Sequence, residues 1–247
     1  MTAAPRLATE GLTVRFRGRA VLEDVSITVA PGEIVGVVGP GGAGKSILLK
    51  CLARLVTPTA GRVLLDGVDL ATLSAQALAR AREDYGFLFQ NYALFDFMTV
   101  LDNVAFPLRQ GAHLDEDALL ARATERLAQV GLARAVAQFP RELSGGMKKR
   151  VALARATVSD PPIALYDDPT AGLDPVTSSR IFALVASMHA RVPGGVAVIV
   201  SHDIDRMRAV CRRFVALVDG HVAFDGGLDD LTAAPALVQS LFAGAAS

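Results

Sequence analysis

Residues Gly39 to Ser46 read GPGGAGKS, which fits G-x-x-x-x-G-K-[ST], and they directly follow Ile34 to Val38, an apolar run of the kind that forms a buried strand. Glycine lets the backbone curl until successive N–H groups point into one concavity. The helical pattern that follows, ILLKCLARL, brings the positive end of a helix to the same spot. Strand, loop and helix in that order form a cradle for a triphosphate. Gly39, Pro40, Gly41, Gly42, Ala43 and Gly44 form the loop, and Ile47 continues the wall into the helix. Lys45 reaches the β- and γ-phosphates as a point charge, and the Ser46 hydroxyl is a ligand for a Mg2+ ion bridging them.

A chain of 247 residues, 51% of them hydrophobic, buries a full core as one large α/β domain or two small lobes. Its formal charge is zero, so no overall field draws it to nucleic acid or to an anionic lipid surface. The longest apolar stretches, such as VAVIV at Val196 to Val200, fall far short of the roughly 20 residues that span a bilayer. Membrane contact is therefore expected through a partner. The opening MTAAPRLATE lacks a charged start followed by an apolar stretch, which predicts a cytoplasmic location. Cys51 and Cys211 sit in helical patterns without metal-type spacing and read as core thiols.

Ahead of the phosphate loop, LTVRF and VLEDVSITV alternate as half-buried strands and predict a small antiparallel sheet. After the loop helix, GRVLLDGVDL predicts a strand with a turn at Asp66-Gly67, then a short Ala-rich helix leads to the strand YGFLFQ, which ends at Gln90. From Thr99 to Val158 the spacing turns helical, as an inserted lobe would. The strands IALY and VAVIV flank a helix from Pro175 to Ala190, the alternation of parallel βαβ units. A strand pair around Gly220 and a helix from Leu228 to Phe242 complete the chain.

IALYDD is an apolar strand that ends in two carboxylates. Asp167 is the expected carboxylate on the Mg2+ side, and Asp168 the one that orients or deprotonates an attacking water. In ELSGGMKKRVALARA, Ser144 reads as an N-cap, while Gly145 and Gly146 permit close approach of an anion to a helix N-terminus.

LSGGM resembles the signature motif of ATP-binding cassette (ABC) ATPases, commonly LSGGQ. GPGGAGKS, Gln90, YDDPTAGLDP and SHD resemble that family's other motifs in the same order, over nearly the whole chain. The resemblance implies an α/β fold: a P-loop NTPase cassette with a RecA-like core, a flanking antiparallel β-subdomain and an inserted helical subdomain. Residues 1–247 would form a single ATP-binding domain, with 1–90 and 160–226 as the core lobe, 91–159 as the helical lobe and 227–247 as a C-terminal helix. It implies ATP and Mg2+ as cofactors, and two copies pairing head to tail around two ATP. Ser144, Gly145 and Gly146 would serve the partner's γ-phosphate. Gln90 matches the Q-loop glutamine, a magnesium and water ligand, and His202 the histidine that contacts the γ-phosphate. Asp174 matches an aspartate that crosses the dimer interface, and it reads equally as an Asp-Pro turn opening a helix. Phe16 matches the aromatic that stacks on adenine; alternation along LTVRF would instead bury it beside Leu12 and Val14. His113, His189 and His221 have no motif around them and read as surface residues.

Two departures stand out. Asp168 occupies a position where the family usually has Glu, which leaves open a working ATPase or a slow one acting mainly through nucleotide binding. Met147, with the segment NYALFDFMTVLDNVAFPLR, is similar to the ATPase of maintenance-of-lipid-asymmetry (Mla) transporters. That likeness implies phospholipid transport, an integral membrane permease, an MCE-domain lipid-binding protein and a small cytoplasmic accessory subunit, with the chain peripheral on the cytoplasmic face of the inner membrane. A permease for a soluble solute is the alternative. Ala93, Leu94, Phe95, Phe97 and Met98 are either a docking groove for a permease helix or core of the helical lobe.

Overall fold

The computed structural model describes residues 6–111 and 115–243. The strands are β1 (Leu7–Phe16), β2 (Arg19–Val29), β3 (Ile34–Val38), β4 (Ala60–Leu65), β5 (Val68–Asp69), β6 (Tyr85–Leu88), β7 (Ile163–Asp167), β8 (Val196–Val200), β9 (Arg213–Val218) and β10 (His221–Gly227). The helices are α1 (Lys45–Leu52), α2 (Ala75–Glu83), α3 (Val100–Gly111), α4 (Glu116–Gln129), α5 (Gly145–Thr157), α6 (Pro175–His189), α7 (Ile204–Met207) and α8 (Ala236–Ala243).

Two sheets result. The smaller is antiparallel, in the order β2-β1-β4-β5, and its β4–β5 hairpin turns on Asp66 and Gly67, both at positive φ. The larger runs β10-β9-β3-β8-β7-β6, parallel throughout except for the antiparallel edge strand β10.

The parallel strands are buried on both faces, which is why IALY and VAVIV read as unbroken apolar runs. On β8, Val196, Val198 and Val200 pack with α1 and the small sheet, whereas Ala197 and Ile199 join the core beneath α3, α5 and α6. The period-two pleat thus divides one strand between two hydrophobic clusters. Cys51 and Cys211 are free and buried in these clusters, and burial pushes the Cys51 thiol up to about 11.

Helix starts follow their caps. Ser74, Asp115, Ser144 and Asp174 each accept a backbone N–H of the first turn of α2, α4, α5 and α6. The helix expected over Leu228 to Phe242 is instead two pieces, a 3-10 segment at Leu228–Ala233 and α8. Pro235 forces Ala234 into an extended conformation, with ψ at 156°, and this breaks the run. His221 is exposed as expected. His189 is half-buried, with Nε2 3.2 Å from the Gly32 carbonyl, because α6 packs its end against that turn. His113 lies outside the described residues.

Candidate nucleotide site

The carboxyl ends of β3, β7 and β8 meet at one edge of the parallel sheet, where open α/β folds place their ligands. A cleft of about 280 Å³ opens there. It is lined by Val21, the loop from Gly41 to Ile47, Gln90, Asp167, Asp168, Val200 and His202. Residues as far apart in sequence as Val21 and His202 are thereby brought to one wall.

The loop needs its glycines at two points. Gly39 has φ 146°, and a Cβ there would lie 2.1 Å from the Leu217 carbonyl oxygen. At Gly44, with φ 94°, a Cβ would meet Leu22 Cδ2 at 2.5 Å and the Val21 carbonyl oxygen at 2.8 Å. Side chains at either position would push the loop off β9 and β2.

Lys45 is buried, and its ammonium donates to the carbonyls of Gly39 at 2.7 Å and Pro40 at 2.8 Å. Desolvation holds it below the usual lysine value, opposed by the negative charges of Asp168 and Asp167. Gly39 and Pro40 thus hold the lysine rather than line the cleft. The Ser46 hydroxyl donates to Asp167 Oδ1 at 2.8 Å. Burial raises the Asp167 carboxyl above its ordinary range, and the Ser46 hydrogen bond opposes that shift.

A hydroxyl and a carboxylate in contact, with the Gln90 amide on the same wall, are hard oxygen donors of the kind Mg2+ takes. One carboxylate and one hydroxyl suit an ion that keeps waters and phosphate oxygens in its remaining positions. The residues present therefore fit the ion.

Asp168 follows β7 in a left-handed conformation, with φ 50°. Its N–H donates to the Val200 carbonyl at 2.8 Å, and its Oδ1 accepts from the Ser201 hydroxyl at 3.3 Å. The shorter side chain is thus tied toward β8 while still forming part of the cleft wall. His202, exposed just past β8, faces the same space.

Other expected site residues lie off this wall. Ser144 accepts the Met147 N–H at 3.3 Å and caps α5, with Gly145 and Gly146 in its first turn. Asp174 caps α6 through Val176 and Thr177, and the Thr177 hydroxyl hydrogen bond lowers its carboxyl. The turn reading of Asp174 is thus present in the free chain. Phe16 is 48% exposed, whereas Leu12 and Val14 are buried. Its burial fails because β1 ends there, at the turn through Arg17 and Gly18.

Of the apolar cluster, Leu94 packs on the core while Phe97 is 77% exposed. Phe95 meets two other rings at tilted angles, its centroid 5.8 Å from that of Phe97 and 4.9 Å from that of Phe106. Asn103, fully buried in α3, fixes this turn: its amide donates to the carbonyls of Phe95, Met98 and Thr99, and its Oδ1 accepts the Phe95 N–H.

The sequence reading missed Asn103, Lys149 and Arg155. Lys149 donates to the carbonyls of Gln90 and Asp168, and Arg155 to those of Tyr92 and Ala93. A signal for Lys149 existed. It falls on the stripe of α5 that includes Ala152, Leu153 and Ala156, where a charge requires buried partners.

The model of the ABC transporter family matches residues 22–171, which is more than half of the chain. The chain belongs to the ABC transporter family. That family's cassettes are ATPases that bind ATP with Mg2+. The chain is 40% identical over 225 residues to the methionine import ATP-binding protein MetN of Carboxydothermus hydrogenoformans, covering 90% of this chain and 66% of that protein. It is 40% identical over 220 residues to the probable ribonucleotide transport ATP-binding protein mkl of Mycobacterium bovis, covering 89% of this chain and 61% of the other. The cassette thus spans about two thirds of the length of the curated relatives it matches. Among solved structures it superposes on the ATP-binding cassette MJ0796, a dimer in a post-hydrolysis state with ADP and Pi. The TM-score is 0.84 at 33% identity, over 90% of this chain and 98% of that one. It also resembles cbiO1 of Clostridium perfringens, part of the cbiONQ transporter complex, with TM-score 0.81 at 30% identity over 93% of this chain and 91% of that one. The fold is the ABC cassette P-loop NTPase fold. No helix among the described residues is long and apolar enough to cross a membrane.

Proposed function

We propose that this chain is an ATP-hydrolysing subunit that pairs with a second copy around two Mg-ATP and drives a separate membrane permease. The observation that carries this reading is the single cleft shared by the lysine loop, Gln90, Asp167, Asp168 and His202. Lys45 and the loop N–H groups bind the phosphates, and Ser46, Asp167 and Gln90 hold the ion. When bound, Mg2+ would neutralise negative charge on the phosphates. Asp168 orients the water and accepts its proton, and His202 contacts the γ-phosphate. Phe16, exposed at the end of β1, offers a free face for stacking on adenine.

The helix N-terminus at Ser144 to Gly146 lies off this cleft, so it is assigned to the partner's γ-phosphate, and Asp174 to the interface. The MJ0796 dimer supports this pairing. Ser144→Arg places a bulky cation at the cap. It is expected to abolish ATP-driven dimerisation, read by light scattering with and without ATP, while ATP affinity of the monomer stays within about twofold. Dimerisation at the wild-type level would refute the assignment.

The cargo proposed is phospholipid, with an MCE-domain protein and a small accessory subunit as further partners. Met147 in the signature and the ALFDF segment support it. The MetN relatives favour a second reading, a soluble solute such as methionine. Both place the chain peripherally on the cytoplasmic face of the inner membrane through its permease. Phe97, held outward by the Asn103 turn, is the proposed contact for a permease helix. Phe97→Asp is expected to leave the ATPase rate of the isolated chain unchanged and to prevent co-purification with the permease. Identifying the membrane protein and the molecule retained in that complex decides between lipid and solute.

A further inference from the structure

Asp168 is strained and close to the chemistry. A non-glycine residue at φ 50° persists only where its surroundings over-determine it. Part of that restraint comes from α5, the helix whose first turn is Ser144-Gly145-Gly146. Lys149, five residues past the cap, is 1% exposed, and its Nζ donates to the Asp168 carbonyl at 2.7 Å and to the Gln90 carbonyl at 3.2 Å. Its ammonium also stands 5.1 Å from the centroid of the Tyr92 ring. Both hydrogen-bond partners are backbone oxygens, so the directional contacts of the ammonium fall on peptide groups, while the nearby negative charges of Asp168 and Asp167 oppose its desolvation.

Tyr92 and Ala93, just after Gln90, are left-handed as well, with φ 62° and 49°. Their carbonyls are held by Arg155 of the same helix at 2.7 Å and 2.6 Å. One helix therefore holds three strained peptides on two loops. A rigid helix turns a small movement at its capped end into a movement of everything it grips.

We propose that Lys149 is a positioning residue for hydrolysis: it ties the helix that meets the partner's nucleotide to the backbone of Gln90 and Asp168 in its own chain, and so sets where the Asp168 carboxylate stands. This rests on the assignment of Asp168 as the hydrolytic carboxylate. With the short aspartate, placement matters most, because a misplacement near 1 Å costs on the order of 10²-fold in rate.

The test uses the purified full-length chain, with ATPase kinetics, equilibrium ATP binding and thermal unfolding measured on each variant. Lys149→Met keeps length and apolar bulk but loses the donors. It is expected to lower kcat about tenfold with KM for ATP within about twofold. Lys149→Arg, which can still span two carbonyls, is expected to recover kcat to within about threefold of wild type. A merely structural lysine would lower the unfolding temperature of both variants and leave kcat per folded molecule alone, and that pattern overturns the proposal. So does a loss that falls on KM. If Lys149→Met does not fold, Lys149→Gln takes its place; a lowered kcat at unchanged KM supports the role and a wild-type kcat overturns it. Asp168→Asn measured alongside separates the two claims. A silent Asp168→Asn sinks the hydrolytic assignment and the proposal with it, whereas a slow Asp168→Asn beside an unchanged Lys149 variant sinks the positioning role alone.

Discussion

Lys45→Ala is expected to weaken ATP binding on the order of 10²-fold, read by equilibrium titration with a fluorescent ATP analogue. The ammonium is the one cation at the centre of the loop, and a hydrogen bond to a charged group contributes about 1.5–3 kcal/mol. In the free chain the lysine rests on the carbonyls of Gly39 and Pro40, so its removal also loosens the loop that must present its N–H groups. Both effects act in the same direction. The fold should survive, because α1 is anchored by Leu48, Leu49, Cys51 and Leu52 rather than by the lysine. A dissociation constant within about twofold of wild type would require another explanation for the loop glycines.

Asp168→Asn should lower kcat by about 10²- to 10³-fold while ATP still binds, within the range that a positioned general base supplies. Asn keeps the volume and can still meet the Ser201 hydroxyl, so the loss reports the charge and not the packing. The ATP-bound dimer should then accumulate, which gel filtration in ATP detects. Asp168→Glu is the informative partner. The Asp168 carboxylate is held back by Ser201 and by its left-handed backbone, and the extra methylene extends its reach into the cleft. A rise in kcat of several-fold is expected. A fall would mean that the backbone already compensates for the short side chain and that wild type is the better-placed enzyme. Asp168→Asn turning over at the wild-type rate would remove Asp168 from the chemistry.

The residues most legible in the sequence were those whose chemistry needs contiguous neighbours. GPGGAGKS and IALYDD each carry a strand, a turn and a functional group within about ten residues, so period and turn chemistry located them before any folding was considered. The helix starts at Ser144 and Asp174 were legible for the same reason. Phe16 was not, since one period-two pattern buries it and the end of β1 exposes it. The apolar cluster after Gln90 was read as one unit, yet Asn103 divides it, turning Leu94 inward and Phe97 outward. The C-terminal helix failed at Pro235, a local signal that the helical spacing around it obscured.

Short contiguous stretches of this chain carry the groups and the local geometry of each: a glycine loop opening a helix, a strand delivering two carboxylates, a capped helix carrying Gly145 and Gly146. Which of them share a space depends on how the strands pair. Gln90, Asp168 and His202 reach the phosphate loop because β3, β8, β7 and β6 pair as parallel neighbours, and a parallel register is set by long-range hydrogen bonding that leaves no mark at a single position. The grip of Lys149 on Asp168 was hidden for a related reason. A side-chain cation meeting a backbone carbonyl leaves no charged partner in the sequence to suggest the pair.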